Sequence, residues 1–330
     1  MKALSGPALA NTEHGYMLVV VLEYRSLGIC GPKVPTICFG AYPIGGGLGT
    51  VDENQAINTV QAAIESGITF IDTAESYGTS EIIIGKAITG RRQEVTLATK
   101  LSGSDHSDTH IQSAINNSLK YLKTDYIDLY QLHSPQPRWP IEYTMASLTK
   151  LKEQGKIRYI GVSNFSDLQT REAIKHVVIH SSQPRYNMLF PHLEETTLDF
   201  CKKSGIGVIA HSVLAKGLLG GKYSPGHTFA VDDERRLFNF FRGQLFIDIH
   251  AVTTKLSEWA KSHQRDIVQL AIAWVLANKT VTSAIVGMKT IDQVKHVAKA
   301  ADWKLSEREL LEIRNLIGNL EPSWIKDPTN

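Results

Sequence analysis

The chain has 330 residues, enough for two small domains or one large barrel. Hydrophobic residues make up 42% and charged residues 21%, which supplies a core and excludes a mainly disordered chain. Lys plus Arg (35) nearly balances Asp plus Glu (33), a net charge of +2, so no basic excess exists to neutralise a nucleic-acid backbone or an anionic membrane.

The three cysteines (Cys30, Cys38, Cys201) are odd in number and widely spread, with no CxxC. That argues against a disulfide framework or a thiolate metal site and fits a reducing compartment, the cytoplasm. The 12 histidines show no HExxH or Cys/His spacing, so no metal is expected. Residues 1–22 read as an N-terminal extension, with a short added strand as the alternative. Their one apolar run, 17–22, is too short for a signal h-region or a bilayer span, and no longer run follows. A soluble protein is expected.

From residue 24 the chain alternates between two periods. Residues 24–33 suggest a small hairpin closing the bottom of a barrel, and 34–40 a first buried strand. A helix over 52–66 puts Ala56, Ile57, Val60, Ala63 and Ile64 on one face, with a capping box Thr50-x-x-Glu53 at its start and Gly67 at its stop. Strands follow at 69–72 and 95–100, a helix at 108–122, a strand at 126–133, a helix at 140–154, and strands at 157–163, 177–183 and 207–213. A polar, glycine-containing segment (216–243) and helices at 248–263 and 266–278 precede the eighth strand, 282–287. A helix over 290–300 opens with a second capping box, Thr290-x-x-Gln293.

Eight strands alternating with helices predict a (β/α)8 barrel, a TIM barrel, and no linker divides residues 23–330. The long connection after strand seven lies on the catalytic face of such a barrel, where it suits a cofactor clasp or a specificity loop. The rival is a Rossmann dinucleotide fold, because Gly45-Gly46-Gly47-Leu48-Gly49 follows a strand and Asp72 ends the next one. Two features weaken it: Thr50 separates the glycines from the helix, and the alternation runs through eight units.

In a barrel, Asp72, Tyr77, Lys100 and His133 stand at three successive strand ends. Each alone has an ordinary explanation: a cap, a packed ring or a solvated end. Together they compose one chemistry. A tyrosine hydroxyl titrates near ~10, and the Lys100 ammonium is expected to lower it, with Asp72 holding Lys100. His133 can hydrogen-bond a carbonyl oxygen beside the Tyr77 hydroxyl. Such a pocket donates a proton to an oxygen gaining negative charge, and a hydride from a nicotinamide is its natural counterpart.

The stretches Tyr24-Arg25-Ser26-Leu27-Gly28, Phe70-Ile71-Asp72-Thr73-Ala74-Glu75-Ser76-Tyr77-Gly78, Asp128-Leu129-Tyr130-Gln131-Leu132-His133, Gly155-Lys156-Ile157-Arg158-Tyr159-Ile160-Gly161-Val162-Ser163-Asn164-Phe165 and Gln183-Pro184-Arg185-Tyr186-Asn187 resemble the aldo-keto reductases, over most of residues 24–316. The resemblance implies a barrel that binds NADP(H) without a Rossmann fold. It also implies that Tyr77 is the proton donor, supported by Lys100, Asp72 and His133. By the same resemblance, Ser163, Asn164 and Gln183 hold the nicotinamide carboxamide. Gly40, Ala41 and Tyr42 pass near its ring, and Asp72 also takes part in binding the cofactor. Leu214, Lys216, Gly217, Leu218, Gly220 and Lys222 resemble a pyrophosphate loop.

Gly287, Lys289, Thr290 and Gln293 stand at the adenosine end, where Lys289 favours NADP(H) over NAD(H), the second choice. Capping alone also accounts for Thr290 and Gln293, as it does for Ser163-Asn164 before Ser166. Two positions depart from the family pattern. His211-Ser212-Val213-Leu214 stands where an aromatic-Ser-Pro-Leu run is usual, leaving His211 and Ser212 to face the ring. Val297 replaces an adenine-facing Asn. For the substrate, Tyr42, Ile44, Tyr77, His133, Trp139 and residues 238–246 can wall a pocket for a carbonyl compound or its alcohol.

Partners beyond that small molecule are not expected: no nucleic acid, no membrane, and a monomer or weak homo-oligomer. Two other functions fit the same residues. One is a redox-sensing cofactor-binding subunit resembling the potassium-channel beta subunits. The other is a phosphate-binding barrel enzyme with a Schiff-base lysine at Lys100.

Overall fold

The computed structural model describes residues 9, 10, 17, 18 and 22–318. Most of the expected N-terminal extension, residues 1–22, therefore lies outside the described residues. Its described parts are two short strands, β1 (Leu9–Ala10) and β2 (Met17–Leu18), paired antiparallel. A second hairpin, β3 (Tyr24–Ser26) and β4 (Lys33–Pro35), leads into the main sheet.

Eight strands form a closed barrel: β5 (Ile37–Gly40), β6 (Phe70–Asp72), β7 (Thr96–Leu101), β8 (Ile127–Leu132), β9 (Ile157–Ser163), β10 (Ser181–Gln183), β11 (Gly207–Ala210) and β12 (Val281–Gly287). Every neighbouring pair is parallel, and β12 pairs with β5 to close the ring. The Rossmann alternative is excluded by that closure. Helices α1 (Glu53–Glu65), α2 (Ser80–Ala87), α3 (Asp108–Leu122), α4 (Ile141–Glu153), α5 (Asp167–Ala173) and α6 (Asp199–Ser204) follow β6's predecessor through β10 in turn. After β11 the chain makes its long excursion, then α7 (Gly243–Ser262) and α8 (Ile267–Ala277). α9 (Ile291–Ala298) and α10 (Glu307–Ile317) follow β12. No helix among the described residues is long and apolar enough to cross a membrane.

Alternation along the strands builds the interior. Cys38, Phe70, Ala98, Leu129 and Ile209 point inward and form a small cluster with Leu27 and Val34 of the β3–β4 hairpin. The hairpin thereby plugs the end of the barrel where the strands begin. It is tied there by Arg25, whose Nη1 donates to Val281 O at 2.6 Å, and by Ser283 Oγ, which donates to Pro35 O at 2.8 Å. The alternate residues, such as Ile37, Phe39, Ile71 and Leu97, join the large core beneath the helices. One step further along the inward rows the side chains turn polar: Asp72 after Phe70, Lys100 after Ala98, Gln131 after Leu129.

The structure corrects several sequence expectations. The first predicted strand splits at Thr36 into hairpin strand β4 and barrel strand β5. The run 177–183 forms a strand only over Ser181–Gln183, with Val178 60% exposed, because the chain is still leaving α5 at its start, where Val177 N donates to Ala173 O at 3.4 Å. α1 is capped by Asp52, whose carboxylate accepts from Gln55 N at 2.9 Å, not by Thr50. Thr50 instead donates its N–H and hydroxyl to Asp232 Oδ2 at 3.3 and 3.1 Å. α7 begins at Gly243, five residues ahead of the predicted 248, because Phe246 is buried and extends the helix's apolar face.

Candidate active site

The polar ends of the inward rows converge at the mouth of the barrel where the strands finish. Lys100 is fully buried, and its Nζ donates to Asp72 Oδ2 at 2.5 Å and to Thr73 O at 2.8 Å. Its third contact is the Tyr77 hydroxyl at 3.4 Å. The other Asp72 oxygen accepts from Gln183 Nε2 at 2.8 Å and from Gln131 Nε2 at 3.2 Å. Gly161 makes room for this network: a Cβ there would sit 2.1 Å from Ser181 Oγ and 3.0 Å from the Gln131 side chain.

Tyr77 is held from the opposite side. The loops carrying Gly45 and Gly78 press together so closely that a Cβ on Gly45 would lie 1.9 Å from Tyr77 O. The Tyr77 ring packs edge-on against Tyr42, with centroids 4.8 Å apart. Its hydroxyl lies 3.4 Å from His133 Nε2. His133 is anchored by its backbone, which donates to Leu101 O and accepts from Asn164 Nδ2, both at 2.9 Å. Its Nδ1 lies 2.7 Å from Ser102 Oγ.

The electrostatics differ from the expectation in one respect. Burial pushes the Tyr77 hydroxyl above the usual tyrosine range, and the Lys100 ammonium only partly opposes it. Tyr77 therefore keeps its proton at neutral pH instead of being acidified. Burial also pulls Lys100 down, but the Asp72 carboxylate, with the Tyr77 oxygen as a further acceptor, more than offsets this, so it remains an ammonium. His133 is lowered to about 3 by burial and then by Lys100, so its ring is neutral.

From Tyr77 a cleft of about 1350 Å³ runs across the barrel mouth towards α9. Near Tyr77 it is lined by Gly40, Ala41, Tyr42, Asp72 and His133, and then by Ser163, Asn164, Gln183, His211 and Ser212. The amides here interlock: Ser163 Oγ donates to Gln183 O at 3.0 Å, and Asn164 Oδ1 lies 3.0 Å from His211 Nε2. His211 is also lowered to about 3 by burial, then Lys100, so the ring is neutral and donates Nε2–H to Asn164 while Nδ1 faces Ser212 Oγ at 2.9 Å. Asn164, Ser212, Ala215 and Lys216 all have φ between 46° and 58° without being glycine, a concentration of backbone strain along one wall.

Leu214, Lys216, Gly217, Gly220 and Lys222 continue the lining. Lys216 Nζ pairs with Glu234 Oε1 at 2.7 Å. At the far end stand Gly287, Lys289 and Gln293. Lys289 Nζ donates to Leu48 O at 2.6 Å and Gly49 O at 3.3 Å. The loop after β5 and the long excursion meet above the cleft, where Glu234 N donates to Gly47 O at 3.2 Å.

Ile44, Leu218, Thr290 and Trp139 do not line this cleft, and of residues 238–246 only Phe238 and Phe240 do; Ile44 is buried in the core. Leu218 is buried beneath the loop, and Thr290 caps α9 by accepting from Gln293 N at 3.2 Å. Trp139 lines a separate cavity of about 440 Å³ with His106 and Tyr143, its indole donating to Ser104 O at 2.9 Å. Sequence reading assigned no role to Gln131, Ser102 or Glu234. Gln131 was detectable as a lone amide in an apolar strand, whereas the other two contacts are made only by folding.

A family model, the Aldo/keto reductase family, matches residues 36–317. The chain belongs to that family. As an aldo/keto reductase it is an oxidoreductase. It is similar to the aldo-keto reductase YhdN of Bacillus subtilis (strain 168), with 35% identity over 93% of this chain and 99% of that protein. A glycerol dehydrogenase of Gluconobacter oxydans superposes with a TM-score of 0.81 at 29% identity, covering 91% of this chain and 97% of that one. An aldo/keto reductase from Klebsiella pneumoniae, solved with NADP and acetate, gives a TM-score of 0.74 at 28% identity over 88% of this chain and 94% of that one.

Proposed function

We propose that this aldo/keto reductase interconverts a small carbonyl compound and its alcohol with NADP(H), using Tyr77 as the proton donor. One observation carries the reading: the Tyr77 hydroxyl lies 3.4 Å from both Lys100 Nζ and His133 Nε2, in a cleft of about 1350 Å³ whose lining extends to Lys289 and Gln293.

The residues fit such a cofactor. Ser163, Asn164 and Gln183 bring hydroxyl and amide groups to one end, matching a carboxamide that both donates and accepts. Lys216, Lys222 and Lys289 bring positive charge along the rest, as the phosphates require. Bound there, a reduced nicotinamide supplies hydride to the carbonyl carbon.

Tyr77 then gives its proton to the carbonyl oxygen as negative charge develops. Lys100 stabilises the phenolate left behind, and Asp72 keeps the ammonium in place. In the opposite direction the Tyr77 phenolate takes the proton from the alcohol. Because burial holds its pKa above the usual tyrosine range, Tyr77 carries its proton at neutral pH, and the Lys100 ammonium beside it eases the loss of that proton. NADP(H) is favoured over NAD(H) by the position of Lys289 and by the likeness to a relative solved with NADP. The reading includes a monomer or weak homo-oligomer in the cytoplasm, where an exposed, unpaired Cys30 is stable.

The test is a panel of aldehydes, ketones and sugars with NADPH and with NADH, following the absorbance of the reduced nicotinamide. Turnover of at least one carbonyl class with preference for NADPH is expected. Tight cofactor retention without turnover across the panel would overturn the reading.

A further inference from the structure

A neutral imidazole carries one proton, and which nitrogen holds it decides what the ring can do. If Nε2 of His133 bears the proton, the ring can donate to a carbonyl oxygen placed beside the Tyr77 hydroxyl. If Nδ1 bears it, Nε2 turns a lone pair towards that oxygen and towards Tyr77, 3.4 Å away. That tautomer would repel the substrate oxygen and accept the proton Tyr77 needs to deliver. The choice is therefore made at Nδ1, on the side of the ring away from Tyr77.

Two hydroxyls stand there. Ser102 Oγ is 2.7 Å from Nδ1, and Ser76 Oγ is 3.5 Å from it. Ser102 is buried at 9% exposure and sits on the residue directly after β7, so the same strand that delivers Lys100 delivers this hydroxyl. Its backbone is pinned: Ser102 N donates to Glu75 Oε1 at 2.5 Å. Its single hydroxyl proton can go to Nδ1 or to Ser76 Oγ, 3.0 Å away, but not to both. The shorter contact is to Nδ1, at the usual separation for a hydroxyl hydrogen bond.

We propose that the Ser102 hydroxyl donates to His133 Nδ1 and so fixes the ring proton on Nε2, which makes Ser102 a positioning residue for the carbonyl oxygen. The assignment of the carbonyl as the partner of Nε2 rests on the reaction proposed above, whereas the tautomer itself does not. Neutrality of the ring, which the argument requires, follows from burial and the nearby Lys100 ammonium. Ser76 is exposed and can direct its own proton to water, and water can also satisfy its lone pairs when Ser102 turns its proton to Nδ1.

The experiment is ¹⁵N NMR of the full chain labelled at histidine, at pH 7, with the His133 ring assigned by its loss in His133→Asn. The wild type is expected to show a protonated Nε2 and a bare, hydrogen-bonded Nδ1. Ser102→Ala should move the Nδ1 resonance and populate the other tautomer. It should also lower kcat about tenfold with KM changed less than about twofold, while Ser102→Thr, which keeps the hydroxyl, restores both. A wild-type ring protonated at Nδ1 overturns the proposal without any variant. So does a Ser102→Ala protein with unchanged ¹⁵N shifts. A protein that shows the expected tautomer and its loss in Ser102→Ala, yet turns over no carbonyl, upholds the hydroxyl's hold on the ring and refutes the reaction instead.

Discussion

The Lys100 ammonium lies 2.5 Å from Asp72 Oδ2, with both side chains removed from solvent inside the barrel mouth. Breaking one partner of such a pair leaves an uncompensated buried charge. Lys100→Met is expected to lower stability by about 3–5 kcal/mol, and the double variant Asp72→Asn/Lys100→Met to recover part of that loss. Urea unfolding followed by circular dichroism checks this. A double variant that adds the two single losses would show that the pair does not act as a unit.

Placement of this pair was legible before folding was considered. Asp72 and Lys100 each stand at the end of a short apolar run, and the alternation of such runs with helical segments implied a barrel that brings strand ends together. Less legible were features made by distant chain segments. Thr50 looked like a helix cap because Glu53 follows at the right spacing, but Asp232 captures it from the long excursion, 182 residues away. The sign of the Tyr77 shift was missed for a different reason. Charge near the hydroxyl can be counted from sequence, whereas the desolvation that outweighs it depends on how tightly Tyr42 and the loops close around the ring.

Gly45 offers a test of how strictly Tyr77 must be positioned. A methyl group there collides with Tyr77 O, so Gly45→Ala should shift the Tyr77 loop and reduce kcat by up to about 10²-fold. The fold should survive, because the collision lies in surface loops above the barrel. Steady-state kinetics beside thermal unfolding would separate the two effects, and an unchanged kcat would show that Tyr77 tolerates displacement.

His133 and His211 are both lowered to about 3, chiefly by burial and then by Lys100. In the unfolded chain a histidine titrates near ~6.5. Between these values the unfolded state binds more protons than the folded one, so stability rises with pH. Their contribution is complete above about 6.5 and is lost as the pH falls towards about 3. The urea midpoint should therefore decline on acidification below about pH 6.5, and His211→Asn should make that decline shallower. An equally steep decline in the variant would contradict the account.

Lys289 donates to two carbonyls of the loop after β5 and lines the end of the cleft that the proposed reading gives to the adenosine. Lys289→Ala is expected to weaken NADP(H) more than NAD(H), because only the former carries a 2′-phosphate for the ammonium to meet. Fluorescence titration with both cofactors measures this. Equal weakening would mean that Lys289 serves the loop and not the phosphate.

The most direct measurement is the turnover of Tyr77→Phe with NADPH and a carbonyl substrate accepted by the wild type, paired with cofactor binding by the same variant. Loss of the hydroxyl should reduce kcat by about 10²–10⁴-fold while NADPH affinity stays within about threefold. Turnover retained at the wild-type rate would contradict the assignment of Tyr77 as the source of the proton.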